Sequence, residues 1–340
     1  VLLNRISQHD NVAVAIEELA SGGTYAIGDI SITTKVMIPK GHKIALTDIP
    51  VGTNVVKYGF PIGHATVEIK SGDWIHSHNV KTNLGEILEY QYHPQQTGSA
   101  SQIIPKFFAG YRRPNGKVGV RNEIWIIPTV GCVNRIAQLI ASGAQNVTGA
   151  QHIDGIYEFT HPYGCSQLGV DHSNTQKILA DLVKHPNTGG VLVLGLGCEN
   201  NNIEEFKKVL GVYDASRVKF LVAQDVEDEV AAGIALIGEL MEQATMDVRE
   251  DCPISELIVG LKCGGSDGFS GITANPLVGK LSDKLVAHGG TSILTEVPEM
   301  FGAETILMDR AINEEVFGNI VHLINDFKQY YEDHNQPIYE

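Results

Sequence analysis

No stretch of 18 apolar residues occurs anywhere in the 340-residue sequence, so no helix able to cross a bilayer is encoded. Basic residues are scarce. The 25 Lys and Arg face 40 Asp and Glu, a formal charge of −15 that excludes a nucleic-acid backbone as partner. The acidity is dispersed and forms no tail, so it serves solubility. The opening residues, VLLNRISQHDNVAVAI, lack the basic start and small-residue cleavage site of a secretory leader, and none is expected. Cysteine is sparse as well: five residues at spacings of 33, 33, 54 and 11, which is no disulfide framework. Reduced thiols in a cytoplasmic protein are the expectation. Nucleotide fingerprints are also missing. The turn KCGGSDGFSG lacks the Gly-Lys-Ser/Thr that closes a P-loop, and GLGCEN has only the first two glycines of a dinucleotide motif.

What is present is a recurring arrangement. Four cysteines follow a short apolar run and glycine: IIPTVGC at Cys132, FTHPYGC at Cys165, VLVLGLGC at Cys198 and LIVGLKC at Cys263. Each run reads as a buried strand, and most are followed by a helix-like segment. In open α/β sheets ligands bind beyond the carboxyl ends of the strands, so polarizable side chains delivered there suggest a site. The plain alternative is that each cysteine is a small buried hydrophobe beside a turn.

Organisation changes near residue 93. Before it, TYAIGDISITT, KVMIPKGHKIALTDI, TNVVKYGFPIGHATVEI and DWIHSHNV predict a small β-rich domain over 1–92, opened by one helix from about Asn11 to Ala20 on the spacing of VAVAIEEL. No internal repeat of fixed period is evident. The polar, turn-rich stretch 93–105 reads as a linker. From 106 to 340 strand and helix patterns alternate, among them NRIAQLIASGA, IEEFKKVLG and EDEVAAGIALIGELMEQA as helices. This predicts an α/β domain with a mostly parallel sheet covered on both faces.

Several clusters carry chemistry. In WIHSHN, His76 and His78 project on one face if the segment is a strand, and two such imidazoles can share a divalent cation. A solvated hairpin is the alternative, as an exposed loop is for His42 and His64. The segment GYRRPNGKVGVRNEIWIIP gathers Arg112, Arg113 and Arg121 in an otherwise acidic chain. Arg112 and Arg113 fit a solvated turn, whereas Arg121, with Asn122, stands before a buried strand and could grip a carboxylate with its planar fork. Beyond the strand ends lie His161, Tyr163, Cys165, Ser166, Gln167 and His172; then Cys198, Glu199, Asn200 and Asn201 ahead of a helix N-terminus that favours anions; then Lys262, Cys263, Ser266, Asp267 and Ser270, with Glu296 and Glu299 further on. Neutral polar groups mixed with a few charges suit a hydroxylated carboxylate better than a nucleotide.

Together GYRRPNGKVGVRNEIWIIPTVGCVN, HPYGCSQLG, GLGCENN, KCGGSDGFSGITANP and ILTEVPEMFGAE resemble the altronate/galactarate dehydratase family, and WIHSHNVKTNL resembles the histidine motif of its N-terminal SAF-type domain. The likeness covers essentially the whole sequence, although family members usually continue past the position of Glu340 into a further C-terminal region. It implies dehydration of D-altronate to 2-dehydro-3-deoxy-D-gluconate in hexuronate catabolism, with Fe²⁺ or Mn²⁺ as cofactor. His76 and His78 are then the implied metal ligands, and Lys262, His161 and Asp267 the acid/base candidates. Arg121, Asn122, Cys165, Ser166, Glu199, Asn200 and Ser266 are the implied substrate contacts. The implied partners are a sugar acid and a second copy of the chain as a homodimer, with neither nucleic acid nor membrane. Galactarate or another sugar acid as substrate, a non-catalytic sugar-acid sensor, and an iron–sulfur cluster on the strand-end cysteines are the competing readings.

Overall fold

The computed structural model describes residues 2–84, 87–95, 105–147, 153–265 and 267–338. Contacts divide the chain into two units, one of 1–103 with 258–287 and 291–340, the other of 104–257 with 288–290. The single α/β domain expected over 106–340 is therefore divided near residue 257, and its final third belongs with the N-terminal region.

The first unit begins with nine short strands: β1 (Leu3–Asn4), β2 (Val12–Ala15), β3 (Thr24–Ile27), β4 (Ile30–Thr33), β5 (Lys43–Ala45), β6 (Asn54–Lys57), β7 (Phe60–Ala65), β8 (Trp74–Ile75) and β9 (Val80–Lys81). They form antiparallel sheets β1-β2-β5-β8, β3-β4 and β6-β7-β9. The helix predicted from Asn11 is strand β2. All four of its residues are buried, with Val12 in one apolar cluster and Ala13 and Ala15 in another, so the period is two and both faces are covered. Two hairpins also repeat one plan. An isolated bridge between Leu19 and Ile38 encloses β3-β4, and another between Ile49 and Ile69 encloses β6-β7. The duplication is of architecture, which the search for a fixed sequence period misses.

The second unit holds β10 (Phe107–Arg112), β11 (Val118–Gly119), β12 (Glu123–Pro128), α1 (Asn134–Ala144), β13 (Gly155–Glu158), α2 (Gly169–Val183), β14 (Thr188–Gly195), α3 (Ile203–Leu210), β15 (Val218–Val222), α4 (Glu229–Ala244) and β16 (Glu250–Pro253). Strands β13-β12-β14-β15 make a parallel sheet, and β11-β10-β16 a small antiparallel one. Alternate side chains of β12 and β14 face opposite layers. Ile124, Ile126, Leu192 and Leu194 pack with α1 and α4, whereas Trp125, Ile127, Val191 and Val193 pack with α2 and α3. Each fully buried aliphatic side chain contributes about 1.5–3 kcal/mol, so both helical layers are firmly held. Since β12 lies between β13 and β14, the strand order reverses at the β12/β14 boundary, and in such sheets ligands bind beyond the carboxyl ends at that point.

The chain then returns to the first unit as β17 (Ile258–Leu261), α5 (Ala274–Ala287), β18 (Thr291–Leu294), α6 (Glu304–Met308) and α7 (Glu314–Asp333), with β17 and β18 paired in parallel. Residues 88–95 are strapped to this part. Asn325 Nδ2 donates to Leu88 O at 2.9 Å, Tyr92 Oη to Ala311 O at 2.6 Å, and Gln95 N to Asp309 O at 2.9 Å. Tyr90 Oη donates to Glu304 Oε1 at 2.8 Å, and Lys328 Nζ donates to the same oxygen at 3.1 Å, both charged groups being buried. The start of the expected linker is thus bound to the C-terminal helices, while its residues 96–104 lie outside those described. Among the described residues no helix is long and apolar enough to cross a membrane.

Candidate functional site

At the carboxyl edge of the four-stranded sheet, three loops are laced together. Gly131 N donates to Tyr163 O at 2.7 Å, Asn200 N to Cys165 O at 3.0 Å, and Asn201 Nδ2 to Thr129 O at 3.0 Å. These bonds gather the turns after β12, β13 and β14, and the thiols of Cys132, Cys165 and Cys198 are exposed on them. The expectation that these cysteines reach one sheet edge holds for three of the four; Cys263 belongs to the other unit.

Several residues expected to touch substrate instead build these loops. Glu199 is buried, and its carboxylate accepts from Thr129 Oγ1 at 2.7 Å, Leu196 N at 3.0 Å and Gly197 N at 2.6 Å. Burial alone would raise its pKa, but the hydroxyl and amide donors outweigh burial and hold it below the usual carboxylate range. His161 donates from Nε2 to Pro128 O at 3.0 Å and accepts at Nδ1 from Tyr163 N at 3.3 Å, so both ring nitrogens are occupied by backbone. That fixes its tautomer in this arrangement. The N-terminus of α3 is closed to anions by its own cap: Asn202 Oδ1 accepts from Glu204 N and Glu205 N, both at 3.1 Å, and two glutamates fill the first turn. Asn200 also spends Nδ2 on Gln167 O at 3.3 Å, whereas Cys165 and Ser166 remain exposed and face each other at 3.8 Å.

Arg121 and Asn122 lie at the opposite edge of this sheet. The six residues of β12, at about 3.3 Å each, set them roughly 20 Å from the carboxyl ends. The buried arginine here is Arg113. Its guanidinium bonds Asp247 Oδ2 at 2.7 Å, Asn122 Oδ1 at 3.0 Å, Pro186 O at 2.7 Å and Arg121 O at 3.0 Å. Asn122 is buried between that contact and Ala244 O, to which it donates at 2.8 Å, so it is a structural residue. Arg121 is exposed, and its guanidinium has no partner among the described residues. A cleft of about 370 Å³ opens at this amino edge, with Arg113, His185, Tyr213 and Arg217 among its lining. Asp247 bonds both arginines, and Asp214 Oδ2 lies 3.9 Å from Arg217 Nε, so both guanidiniums are engaged within the chain.

The first unit carries the remaining candidates. His76 and His78 sit in a turn after the two-residue strand β8, not on a strand, and both are exposed. Trp74 organises them, with its ring centroid 5.3 Å from each imidazole. His42, assigned to an exposed loop, joins the cluster. It accepts from Trp74 Nε1 at Nδ1 (3.1 Å) and stacks on His76 at 5.3 Å, and burial, then His76 and Lys43, lower its pKa. The turn carrying His42 packs on the glycine-rich loop. A Cβ on Gly268 would stand 3.2 Å from Gly41 Cα, and Lys40 Nζ lies 5.5 Å from the Phe269 ring centroid. Next to Gly268, Asp267 accepts at Oδ1 from Phe269 N and Ser270 N at 2.7 and 2.9 Å, which leaves Oδ2 open. Ser266 lies outside the described residues.

Beyond β17 and β18, Lys262 Nζ meets Glu296 Oε1 at 3.0 Å. That hydrogen bond and charge raise the Lys262 pKa and, reciprocally, lower that of Glu296. Lys262 is thus an ammonium at neutral pH, suited to donate a proton or neutralise charge and unsuited to act as a base. His76 Nδ1 bonds Ser77 Oγ at 2.9 Å and keeps Nε2 open, so the turn offers a metal two imidazoles. Among the described residues, however, no three His, Cys, Asp or Glu side chains gather as a metal site. The donor set is incomplete for an ion, and for a cluster on the four thiols. Thr129 is the contributor that sequence reasoning left out, whereas His42 was read as an exposed-loop residue and Glu296 stood among the strand-end groups without a role. A lone hydroxyl gives no signal before its partner is known.

Family comparisons divide the chain in three, with the second boundary near the break at residue 257. The family model for the "Altronate/galactarate dehydratase SAF domain" matches residues 2–83, that for "D-galactarate dehydratase/Altronate hydrolase, second domain" residues 110–245, and that for "D-galactarate/Altronate dehydratase, C-terminal" residues 254–340. The chain is 55% identical over 337 residues to an altronate dehydratase of Bacillus subtilis, and 50% identical over 337 residues to one of Escherichia coli. In both cases 99% of this chain and 68% of the relative are covered. To an L-threo-forming galactarate dehydratase of Escherichia coli it is 32% identical over 330 residues, 92% of this chain and 62% of that enzyme. With SAF, second and C-terminal regions all matched and the division near residue 257 shared, the chain belongs to the altronate/galactarate dehydratase family.

Proposed function

We propose that this chain dehydrates D-altronate to 2-dehydro-3-deoxy-D-gluconate and water, as a hydro-lyase of hexuronate catabolism. The carrying observation is identity of 50–55% to altronate dehydratases along 99% of the chain, against 32% to the galactarate enzyme. The chemistry suits the groups present. Removing the C2 proton places a second negative charge beside the substrate carboxylate, so cationic donors must stabilise the enediolate. The Lys262 ammonium, exposed at the carboxyl ends of β17 and β18, is the group for that charge or for protonating the departing C3 hydroxyl. Asp267, with one oxygen spent on its turn and the other open, is the carboxylate suited to accept the C2 proton. Product enol then tautomerises to the 2-keto acid.

A divalent cation, Fe²⁺ or Mn²⁺, belongs to this reading. His76 and His78 are the donors on offer, and no step is assigned to the ion because their ligand set is incomplete among the described residues. Exposed free thiols at Cys132, Cys165, Cys198 and Cys263 support a reducing, cytoplasmic setting, and a homodimer is the proposed assembly. The test is anaerobic 2-keto acid formation from altronate and from galactarate, before and after chelation and with Fe²⁺ or Mn²⁺ restored. Turnover of altronate that falls on chelation and returns with the metal is expected. Full activity in a metal-free sample removes the cation from the reading, and preference for galactarate, which carries a carboxylate at each end, removes the substrate.

A further inference from the structure

We infer that Glu296 is a positioning residue that aims the Lys262 ammonium over the carboxyl ends of β17 and β18. The inference rests on Lys262 being the cationic group of the proposed reaction, and it adds a residue assigned no role there.

The turn begins from a pinned start. β17 and β18 pair in parallel up to Leu261 opposite Leu294, and Thr295 then bonds Leu261 O twice, from its amide at 3.1 Å and its hydroxyl at 2.8 Å. The next residue, Glu296, takes φ 62° and ψ 79°, a left-handed conformation that a side chain makes costly and that glycine would adopt freely. Backbone needs alone therefore favour glycine at this position. The carboxylate supplies the reason for glutamate. Oε1 receives Lys262 Nζ at 3.0 Å, and Oε2 receives Cys263 N at 3.4 Å, so one side chain spans from strand end to strand end.

The pair is open to solvent, with Lys262 70% and Glu296 37% exposed, so a ligand can reach the ammonium without displacing buried structure. The groups that act on Lys262 are Glu296 foremost, then Cys263 and Glu299, all of which favour its charged form. A lysine so surrounded stays an acid across the neutral range, and removing Glu296 takes away the largest contribution. With its pKa lowered, Lys262 would lose its proton at lower pH, and activity requiring the ammonium would fall away earlier on the basic side.

The experiment compares the full chain with Glu296→Gln, Glu296→Gly and Lys262→Met variants, through the pH profile of kcat/KM on altronate with Fe²⁺ present and NMR titration of the Lys262 ammonium. Lys262→Met is expected to lose roughly 100-fold or more in kcat/KM. Glu296→Gln should lose roughly 10- to 100-fold, with the basic limb and the ammonium titration both displaced to lower pH. Glu296→Gly relieves the left-handed strain and should match or exceed wild-type thermal stability without regaining activity. An inactive Lys262→Met together with an unmoved profile and titration in Glu296→Gln overturns this inference alone. Wild-type turnover in Lys262→Met overturns the role of Lys262 and this inference with it. If altronate proves not to be the substrate, the ammonium titration still decides whether Glu296 governs Lys262.

Discussion

At the amino edge of the sheet β13-β12-β14-β15, Asp247 is gripped by Arg113 through one oxygen and by Arg217 through both, and Asn122 fills the remaining space. At the carboxyl edge, roughly 20 Å along the same strands, three thiols and the side chain of Ser166 are exposed on loops laced by backbone and side-chain hydrogen bonds. Arg121 apart, the arginines of the first edge are held in internal ion pairs, and mutation of those pairs should be read in stability. The second edge keeps side chains exposed at a strand-order reversal, the usual place for a ligand in such sheets. The more cationic edge is thus the less available one.

The largest expected effect comes from breaking the saturated edge. Asp247→Ala leaves two partly desolvated guanidiniums without their partner and should cost about 3–5 kcal/mol in urea unfolding. A loss under about 1 kcal/mol would mean that solvent already screens both arginines, and the contrast between the edges would dissolve. Glu199→Gln tests the loop buttress. The amide presents an NH₂ where three donors converge, and destabilisation of about 1–3 kcal/mol at neutral pH is expected. The pH dependence has a definite sign. Because the folded-state pKa of Glu199 lies below its ordinary 4.5, its contribution is complete above that value and is lost as pH falls through the folded pKa. The gap between wild type and Glu199→Gln should therefore narrow on acidification below about 4.5; a constant gap from neutral to acid pH would show that the ionised carboxylate is not what the loop uses. Smallest is Arg121→Lys, expected to stay within about 0.5 kcal/mol in unfolding and roughly twofold in kcat/KM. A loss of roughly 30-fold or more would return Arg121 to the substrate carboxylate and reverse the comparison.

The sheet unit was readable because its signals are local. TGGVLVLG is buried along its whole length, as a continuous apolar run in a parallel sheet should be, and NRIAQLIASGA is α1 residue for residue. Arg113 and Arg121 share a cationic segment, and nothing local distinguishes them. What buries Arg113 is Asp247, 134 residues away. His76-x-His78 predicted a shared strand face, but β8 ends after two residues and Trp74 gathers the rings in a turn instead. In VAVAIEEL a helical spacing coincided with a strand buried on both faces, and burial decided. The left-handed backbone of Glu296 has no trace in sequence, since glutamate is not a residue from which it would be inferred.

The strap of residues 88–95 bears on the order in which the chain can mature. Tyr90 finds Glu304 and Lys328 only 214 and 238 residues further along. At about 5–20 residues per second, a ribosome needs on the order of 10–50 s to make that stretch. During that interval the sheet unit, whose contacts all lie between 104 and 290, can close without it. The tyrosines of the strap stay solvated until α7 emerges, so the segment made early is among the late ones to be protected from proteases and chaperones.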